Sequence, residues 1–313
     1  MSSTEDVLVG SAMLLISGVC LLANLLVLST IASYSEFYTL SSYKIMLLMG
    51  VFDVSQLCSH FLTGAFTIAQ YEAPFWAHKV LGVMISPTYE CYVFVTILLA
   101  FNRFLFMCSP WKETIIFSTR GNKIWLLITL LLFLGFAGLH SSNLIFSSYK
   151  VAEYTWSYDH SYPWSEMRET VIFYYQIFGI LIAWLFYIAI TVNLLRYLQK
   201  NEVDSVTRFT ANRKILLHAF VIVVYSTLMN ITWHKIDLVL SPGKMQNFVV
   251  NLTWIGSSGL SPFLCLVLNK QVRRKITYRA RRTLFPSTKV ANQLMTVTVT
   301  ANVRPPVPPL HGL

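Results

Sequence analysis

Stretches without a single charged residue recur along this chain. Five of them contain no Asp, Glu, Lys or Arg, and two more are interrupted only by Asp53 or only by Glu90. A helix that crosses the roughly 30 Å hydrocarbon core of a bilayer needs about 20 predominantly apolar residues. The pattern therefore predicts an all-α integral membrane protein with a bundle of seven transmembrane helices. The predicted spans cover 7–35, 45–71, 80–102, 124–149, 170–195, 215–234 and 245–269.

The basic residues between the spans predict how the chain is oriented. If the N-terminus lies outside, 19 of the 24 Lys and Arg residues fall in the inner loops and the C-terminal tail. The outer side then holds only Lys79, Lys150, Arg168, Lys235 and Lys244. Because cytoplasmic loops carry an excess of Lys and Arg, we expect the N-terminus outside and the C-terminus inside. The net charge of +10 then reflects topology, and nucleic acid is not expected as a partner.

Composition and motifs narrow the class of protein further. Asp, Glu, Lys and Arg make up 12 % of the chain, against about 25 % in soluble domains, which excludes an ordinary soluble enzyme. The sequence has no nucleotide-binding, metalloprotease or serine-hydrolase motif, so we predict no enzyme activity, no catalytic residue and no cofactor. The five cysteines lie in the spans or at a span end and form no CxxC pair. Neither an outer disulfide nor a metal site is therefore predicted.

The chain is expected to have three parts. Residues 1–7 form a short extracellular N-terminus, and 8–282 form the seven-helix domain. That domain ends in KQVRRKITYRARR, a pattern typical of a short amphipathic helix lying on the inner leaflet. The Thr- and Pro-rich segment 283–313 is predicted to be a disordered cytoplasmic tail.

Polar residues inside the spans suggest a first candidate site. Asp53 lies near the middle of the second span, and Asn24 lies deep in the first. Ser257, Ser258 and Ser261 lie deep in the seventh. An ionisable group in hydrocarbon is costly and usually faces the bundle interior, where it has a partner. These residues are expected to form one polar cluster that holds water or a cation, or else simply to join helices by hydrogen bonds.

A second set of residues is expected nearer the outside. Glu90 lies 13 residues before Arg103, about 20 Å along a helix, and so falls near mid-membrane or slightly outward. It could bind a cationic group of a ligand, or be protonated and satisfied by Tyr or His. The other candidates for ligand contact are Tyr174, Tyr175, Trp233, His234 and Asp237. The alternative for the aromatic members is a belt at the membrane interface.

Four short motifs in four spans resemble those of rhodopsin-like receptors. They are LLANLLVL, LMGVFD, LLAFNRFLFMCSP and LSPFLCLVLNKQVRRKI, in that order. Within that superfamily, SYKIMLLMGVFDVSQL and the pattern NR-F-x-x-M-x-x-P most resemble nematode serpentine chemoreceptors of class T and the related classes X and V. The resemblance covers about 7–282. It implies a plasma-membrane protein, including that of a sensory cilium, which binds a small chemosensory ligand and signals through a heterotrimeric G protein.

The resemblance also implies roles for particular residues. Asn102 and Arg103 would meet the G protein, Pro262 would bend the seventh span, and the cluster around Asp53 would bind a cation. This chain departs from the superfamily at several points. Asn102 replaces an acid, Ser261 replaces an Asn, and the outer cysteine pair that fastens the long outer loop to the third span is missing. That loop is therefore expected not to be stapled to the span.

Two other functions remain open at this point. A seven-span transporter or channel would need a continuous polar path, and the fourth span offers little of one. A structural or trafficking membrane protein would need no ligand.

Overall fold

The computed structural model describes residues 3–199 and 203–284 of the chain, with side chains described outside 203–212, 215 and 283–284. Seven of its helices are long and apolar enough to cross a membrane, which confirms the predicted seven-span bundle. These helices are α1 (Thr4–Ser33), α2 (Ser41–Ala69), α3 (Phe75–Cys108), α5 (Thr119–Ser141), α6 (Ser165–Gln199), α7 (Val203–Lys235) and α8 (Lys244–Leu268). A short helix, α4 (Pro110–Ile116), separates α3 from α5.

The position of each helix in the bundle follows from how much apolar surface it leaves outside. Helix α3 packs against α2, α5, α6 and α7, and 61 % of its most apolar stretch is buried. Only 17 % of the corresponding stretch of α5 is buried, and its leucines face outward. An apolar outer surface of this kind suits contact with lipid, so α3 forms the centre of the bundle and α5 part of its rim.

Helices α1 and α2 cross with their backbones close together because small residues meet there. A Cβ atom added to Gly10 would lie 2.6 Å from the carbonyl oxygen of Gly64. Any side chain at this crossing would push the two backbones apart. Small residues that let helices approach are a common device of membrane bundles.

The long loop between α5 and α6 is a hairpin that the sequence pattern did not reveal. Strand β1 (Ser147–Lys150) pairs antiparallel with β2 (Thr155–Tyr158), with Ser147 opposite Tyr158. The fourth span predicted over 124–149 is therefore wrong at its C-terminal end, because α5 ends at Ser141. Its charge-free run continues past the end of α5 into the hairpin, whose buried apolar side chains look like membrane residues in the sequence.

The bundle has two ends, which we name by what they carry. The end that holds the hairpin and the start of α1 is the hairpin end, and the opposite end is the α4 end. Helix α9 (Lys270–Leu284) belongs to a separate compact unit that begins at Lys270. It is 15 residues long, and seven of them are Lys or Arg. The predicted tail, apart from its first two residues, lies outside the described part of the chain.

Candidate functional site

The tip of the hairpin is held by polar contacts from two spanning helices. Tyr154 is fully buried, and its hydroxyl donates to Asp6 Oδ1 of α1 at 2.5 Å. Asn251 of α8 donates through Nδ2 to the carbonyl oxygen of Tyr154 at 2.5 Å, and Lys244 Nζ lies 5.4 Å from the centre of the tyrosine ring. Burial and the hydrogen bond to Asp6 both raise the pKa of Tyr154. Its phenol therefore remains a hydrogen-bond donor, and the hairpin covers this end of the bundle.

A second tyrosine fixes the hairpin to α2. The hydroxyls of Tyr149 and Thr67 share a hydrogen bond of 2.9 Å. The Tyr149 hydroxyl also lies 3.7 Å from the sulfur of Met13 in α1. Burial raises the pKa of Tyr149 to about 12. Both tyrosines contact α1, while Tyr149 adds a contact with α2 and Tyr154 adds one with α8, so the hairpin is fixed on both sides of its turn.

A lysine fastens the same loop to α3. Lys79 Nζ donates to three backbone carbonyls at the end of α5 and just beyond it: those of His140 at 3.2 Å, Ser142, and Ile145 at 2.7 Å. A cation is favourable at a helix C-terminus, where the carbonyl groups lack partners. The ammonium group also lies 5.6–5.8 Å from the ring centres of Phe75, Phe146 and Tyr162.

The loop is nevertheless attached to the third span, although the cysteine pair that would staple it there is missing. All five cysteines are free, so the attachment is not covalent. Lys79 supplies it through hydrogen bonds and aromatic contacts, and the loop backbone lies directly against α3. A Cβ atom added to Gly82 of α3 would lie 2.9 Å from Ser147 Oγ.

A buried ion pair joins α3 to α6 below the hairpin. Arg168 Nη2 donates to Glu90 Oε1, and the two side chains are only 3 % and 2 % exposed. Arg168 Nη2 also lies 3.4 Å from His140 Nε2, and the guanidinium lies 5.1 Å from the centre of the Phe136 ring. The Tyr175 hydroxyl donates to the Glu90 carbonyl oxygen at 2.9 Å. Glu90 thus has a cation of the protein itself as its partner.

Deeper in the bundle, aromatic rings from three other helices surround the Trp254 indole of α8. The Trp254 indole nitrogen donates to Gln56 Oε1 of α2 at 2.7 Å. The ring centres of His60, Tyr89 and Trp233 lie 5.2, 5.3 and 5.0 Å from that of Trp254, all in edge-on arrangements. These five side chains, which we call the aromatic cluster, offer flat apolar faces and a few fixed polar atoms, as small-molecule sites do.

Asp53 lies in the core of the bundle without a partner. It is fully buried, and no described residue gives a hydrogen bond to either of its carboxylate oxygens. Asn24 donates through Nδ2 to the Ser258 carbonyl oxygen at 3.0 Å, and so ties α1 to α8. His218 of α7 donates through Nε2 to the Ser261 carbonyl oxygen at 3.1 Å.

These contacts bear on the predicted cation site. The orphaned carboxylate of Asp53 has the chemistry that a monovalent cation needs, and Ser257 is buried as well. The Asn24 amide, however, donates to a backbone carbonyl of α8, and the Ser261 carbonyl accepts from His218. These hydrogen bonds join helices to one another. Among the described residues no three His, Cys, Asp or Glu side chains come together as metal ligands. Asp53 is the one predicted member whose side chain is left open to a cation or a proton.

At the α4 end, the two residues of the predicted coupling motif differ in their contacts. Asn102 donates through Nδ2 to Ser41 Oγ at 3.0 Å and to Glu113 Oε1 at 3.1 Å, and accepts from Ser42 Oγ at 3.3 Å. Arg103 is 4 % exposed, and its Nε has no hydrogen-bond partner. Glu113, on the short helix α4, therefore places a carboxylate beside the Asn that replaces the superfamily's acid.

Comparison with known proteins identifies the family. The family model described as serpentine type 7TM GPCR chemoreceptor Srt matches residues 1–287. This chain belongs to the Srt chemoreceptor family. The match spans every transmembrane helix and α9, and it confirms the resemblance to class T receptors. No protein with curated annotation matches the sequence.

The Srt chain brings some of the predicted ligand residues together and leaves others apart. Trp233 joins the aromatic cluster, and Tyr175 contacts Glu90. His234 lies 3.3 Å from Gln176 Oε1 and links α7 to α6. Tyr174 is 54 % exposed and Asp237 is also exposed. The ligand contact expected of these last two stays a prediction.

Sequence reasoning about this Srt chain missed three side chains that complete its sites. Arg168 was assigned to an outer loop, Lys79 counted only as an outer charge, and Glu113 was not considered. The only signal for Arg168 in the sequence is that it is the sole arginine on the predicted outer side, where basic residues are few. Pro262 lies within α8, which continues to Leu268, and the bend it was predicted to cause stays a prediction.

Proposed function

We propose that this Srt receptor binds a small chemosensory molecule in the hairpin half of the bundle and signals through a heterotrimeric G protein at the α4 end. In this proposal the N-terminus and the hairpin face outward, and Arg103 and α4 face the cytoplasm. The receptor is placed in the plasma membrane, including that of a sensory cilium. The observation that carries the proposal is a pair of sites on the central helix α3, one near the middle of the helix and one near its C-terminal end. Glu90 and Tyr89 line the first, and Asn102 and Arg103 form the second.

The hairpin half supports ligand binding because its aromatic and polar groups converge. The aromatic cluster and the Glu90–Arg168 pair lie on five spanning helices. The hairpin closes this region by noncovalent contacts only, which can open and reclose. A ligand that binds the signalling state better than the resting state by 1.4 kcal/mol shifts their equilibrium about tenfold.

The α4 end supports coupling because its polar groups form a small rearrangeable network. Glu113 accepts from Ser41 Oγ at 2.6 Å and from Asn102, so α2, α3 and α4 share one carboxylate. A guanidinium next to this network, with its Nε unpaired, has hydrogen-bonding capacity left for a partner. Release of α4 from the network would expose that capacity to a G protein.

The test is a screen in cells that express the receptor together with G proteins of each main class. A panel of volatile and water-soluble small molecules is applied, and G-protein dissociation is followed by energy transfer. We expect at least one compound to dissociate one class of G protein in receptor-expressing cells only. A ligand-gated current that persists without GTP would contradict the proposal and favour a channel.

A further inference from the structure

A lipid-facing groove runs between α1, α2 and α5 at the α4 end of the bundle. Its volume is about 680 Å³, and most of its wall is apolar, with Leu28 from α1, Leu48 and Val51 from α2, and Leu126 from α5. Val51 and Leu126 are 59 % and 54 % exposed, so the groove opens toward the surrounding membrane. A groove of this shape accepts a hydrocarbon chain.

The same groove carries positive charge at one end. Lys44, near the start of α2, and Lys123, near the start of α5, both line it. Neither lysine takes part in a salt bridge with any described residue. Both lysines come directly before a predicted transmembrane span, so their ammonium groups lie at the membrane surface and the apolar wall lies at hydrocarbon depth.

We propose that this groove binds one anionic phospholipid of the cytoplasmic leaflet. Its headgroup phosphate lies between Lys44 and Lys123, and an acyl chain lies along Leu48, Val51 and Leu126. Charge complementarity carries the assignment, because basic pockets between transmembrane helices on the cytoplasmic side select anionic headgroups. A sterol would fill the apolar wall but leave both ammonium groups without a counter-charge.

The site is independent of the proposed signalling function. The site requires only the seven-span fold and the predicted orientation, in which the lysine-rich side lies in the cytoplasm. A lipid that contacts three helices also favours the folded over the unfolded chain, because any ligand of the native state alone stabilises that state. Loss of the site would therefore leave G-protein coupling to be judged by its own experiment.

The first test measures lipid binding directly on the purified full-length chain. Native mass spectrometry follows the titration of the detergent-solubilised protein with phosphatidylserine, with phosphatidylcholine and with cholesterol. We expect one phosphatidylserine to bind most tightly. Lys44→Gln/Lys123→Gln is expected to weaken that binding roughly tenfold to thirtyfold, since each Lys near an anionic surface contributes about 1 kcal/mol.

Two further variants separate this site from general surface charge. Lys112→Gln/Arg120→Gln removes the same charge from exposed residues at the same end that do not line the groove, and should leave phosphatidylserine affinity unchanged. Leu126→Trp fills the apolar wall without changing charge, and should weaken binding at least fivefold while thermal stability in phosphatidylcholine stays as in the wild type. Equal losses in the two charge variants would overturn the proposal. So would cholesterol binding that phosphatidylserine fails to displace.

Discussion

The two acids inside the bundle, Glu90 in α3 and Asp53 in α2, are buried to the same degree but are neutralised differently. Glu90 is 1 % exposed and pairs with Arg168, whereas Asp53 is fully buried and has no hydrogen-bond partner among the described residues. An unpaired charge inside a membrane is expensive. Glu90 is therefore neutralised within the fold and acts as a structural link. Asp53 depends on a proton or a cation from outside for its neutralisation. Its state is therefore the one expected to change with pH or with cation concentration.

The same contrast distinguishes the two ends of the molecule. At the hairpin end, Lys79, Arg168 and Tyr154 each meet specific acceptors, and the hairpin is fixed to four spanning helices. At the α4 end, Arg103 keeps an unpaired Nε next to a network that shares the Glu113 carboxylate. The first arrangement suits a closed ligand chamber, and the second suits a surface that changes partners. The following predictions test this contrast.

The largest effect is expected from breaking the Glu90–Arg168 pair on one side only. Arg168→Met leaves a buried carboxylate without its cation and should cost about 3–5 kcal/mol of stability, since an uncompensated buried charge is strongly destabilising. Glu90→Met/Arg168→Met removes both charges and should recover most of that loss. Thermal unfolding of the purified receptor in detergent measures both. Arg196→Met, an exposed arginine on the same helix, serves as the control and should behave like the wild type.

A smaller effect is expected at Lys79, because its acceptors are neutral backbone carbonyls and not a buried carboxylate. Lys79→Met should destabilise the receptor by about 1.5–3 kcal/mol, the usual range for hydrogen bonds to a charged group. The exchange of amide hydrogens in the loop 142–164 should become faster, while exchange in α3 stays slow. Lys150→Met changes an exposed lysine of the hairpin. If the two variants exchange alike, Lys79 does not fasten the loop.

The smallest effect is expected at Asp53, and it should have the opposite sign. Asp53→Asn replaces an acid that needs outside neutralisation with a neutral amide and should raise stability by about 1 kcal/mol, since burying an unpaired ionisable group costs more than burying a neutral polar one. Thermal unfolding with sodium or with choline as the added cation distinguishes the two ways of neutralising the acid. A sodium-dependent gain in the wild type that Asp53→Asn lacks indicates a bound cation. A clear loss of stability in Asp53→Asn would show that Asp53 has a structural partner, as Glu90 does.

The seven spans could be read from the sequence because bilayer thickness sets a minimum length for an apolar helix, and charge is excluded from that length. The end of the fourth span could not be read in this way. Ile145 and Tyr149 are buried by the hairpin, and in a sequence such residues look the same as residues that face lipid. The mid-membrane acids were also visible in the sequence. The partner of Glu90 was not, because Arg168 lies 78 positions from it along the chain and no local pattern encodes such a pairing. Pairing across helices depends on how the bundle packs.

The most direct test of the account is nucleotide exchange on a purified G protein by this receptor in lipid nanodiscs, with Arg103→Ala compared with Lys112→Ala. Lys112 is an exposed cation on α4 and controls for lost charge at the same end. The account predicts that the wild type and Lys112→Ala accelerate exchange above the empty-nanodisc rate, and that Arg103→Ala does not, at equal folded amounts. Equal acceleration by Arg103→Ala and the wild type would contradict coupling through the α4 end. Failure of the wild type to accelerate exchange on any class of G protein, with the active compounds of the screen present, would contradict the receptor function itself.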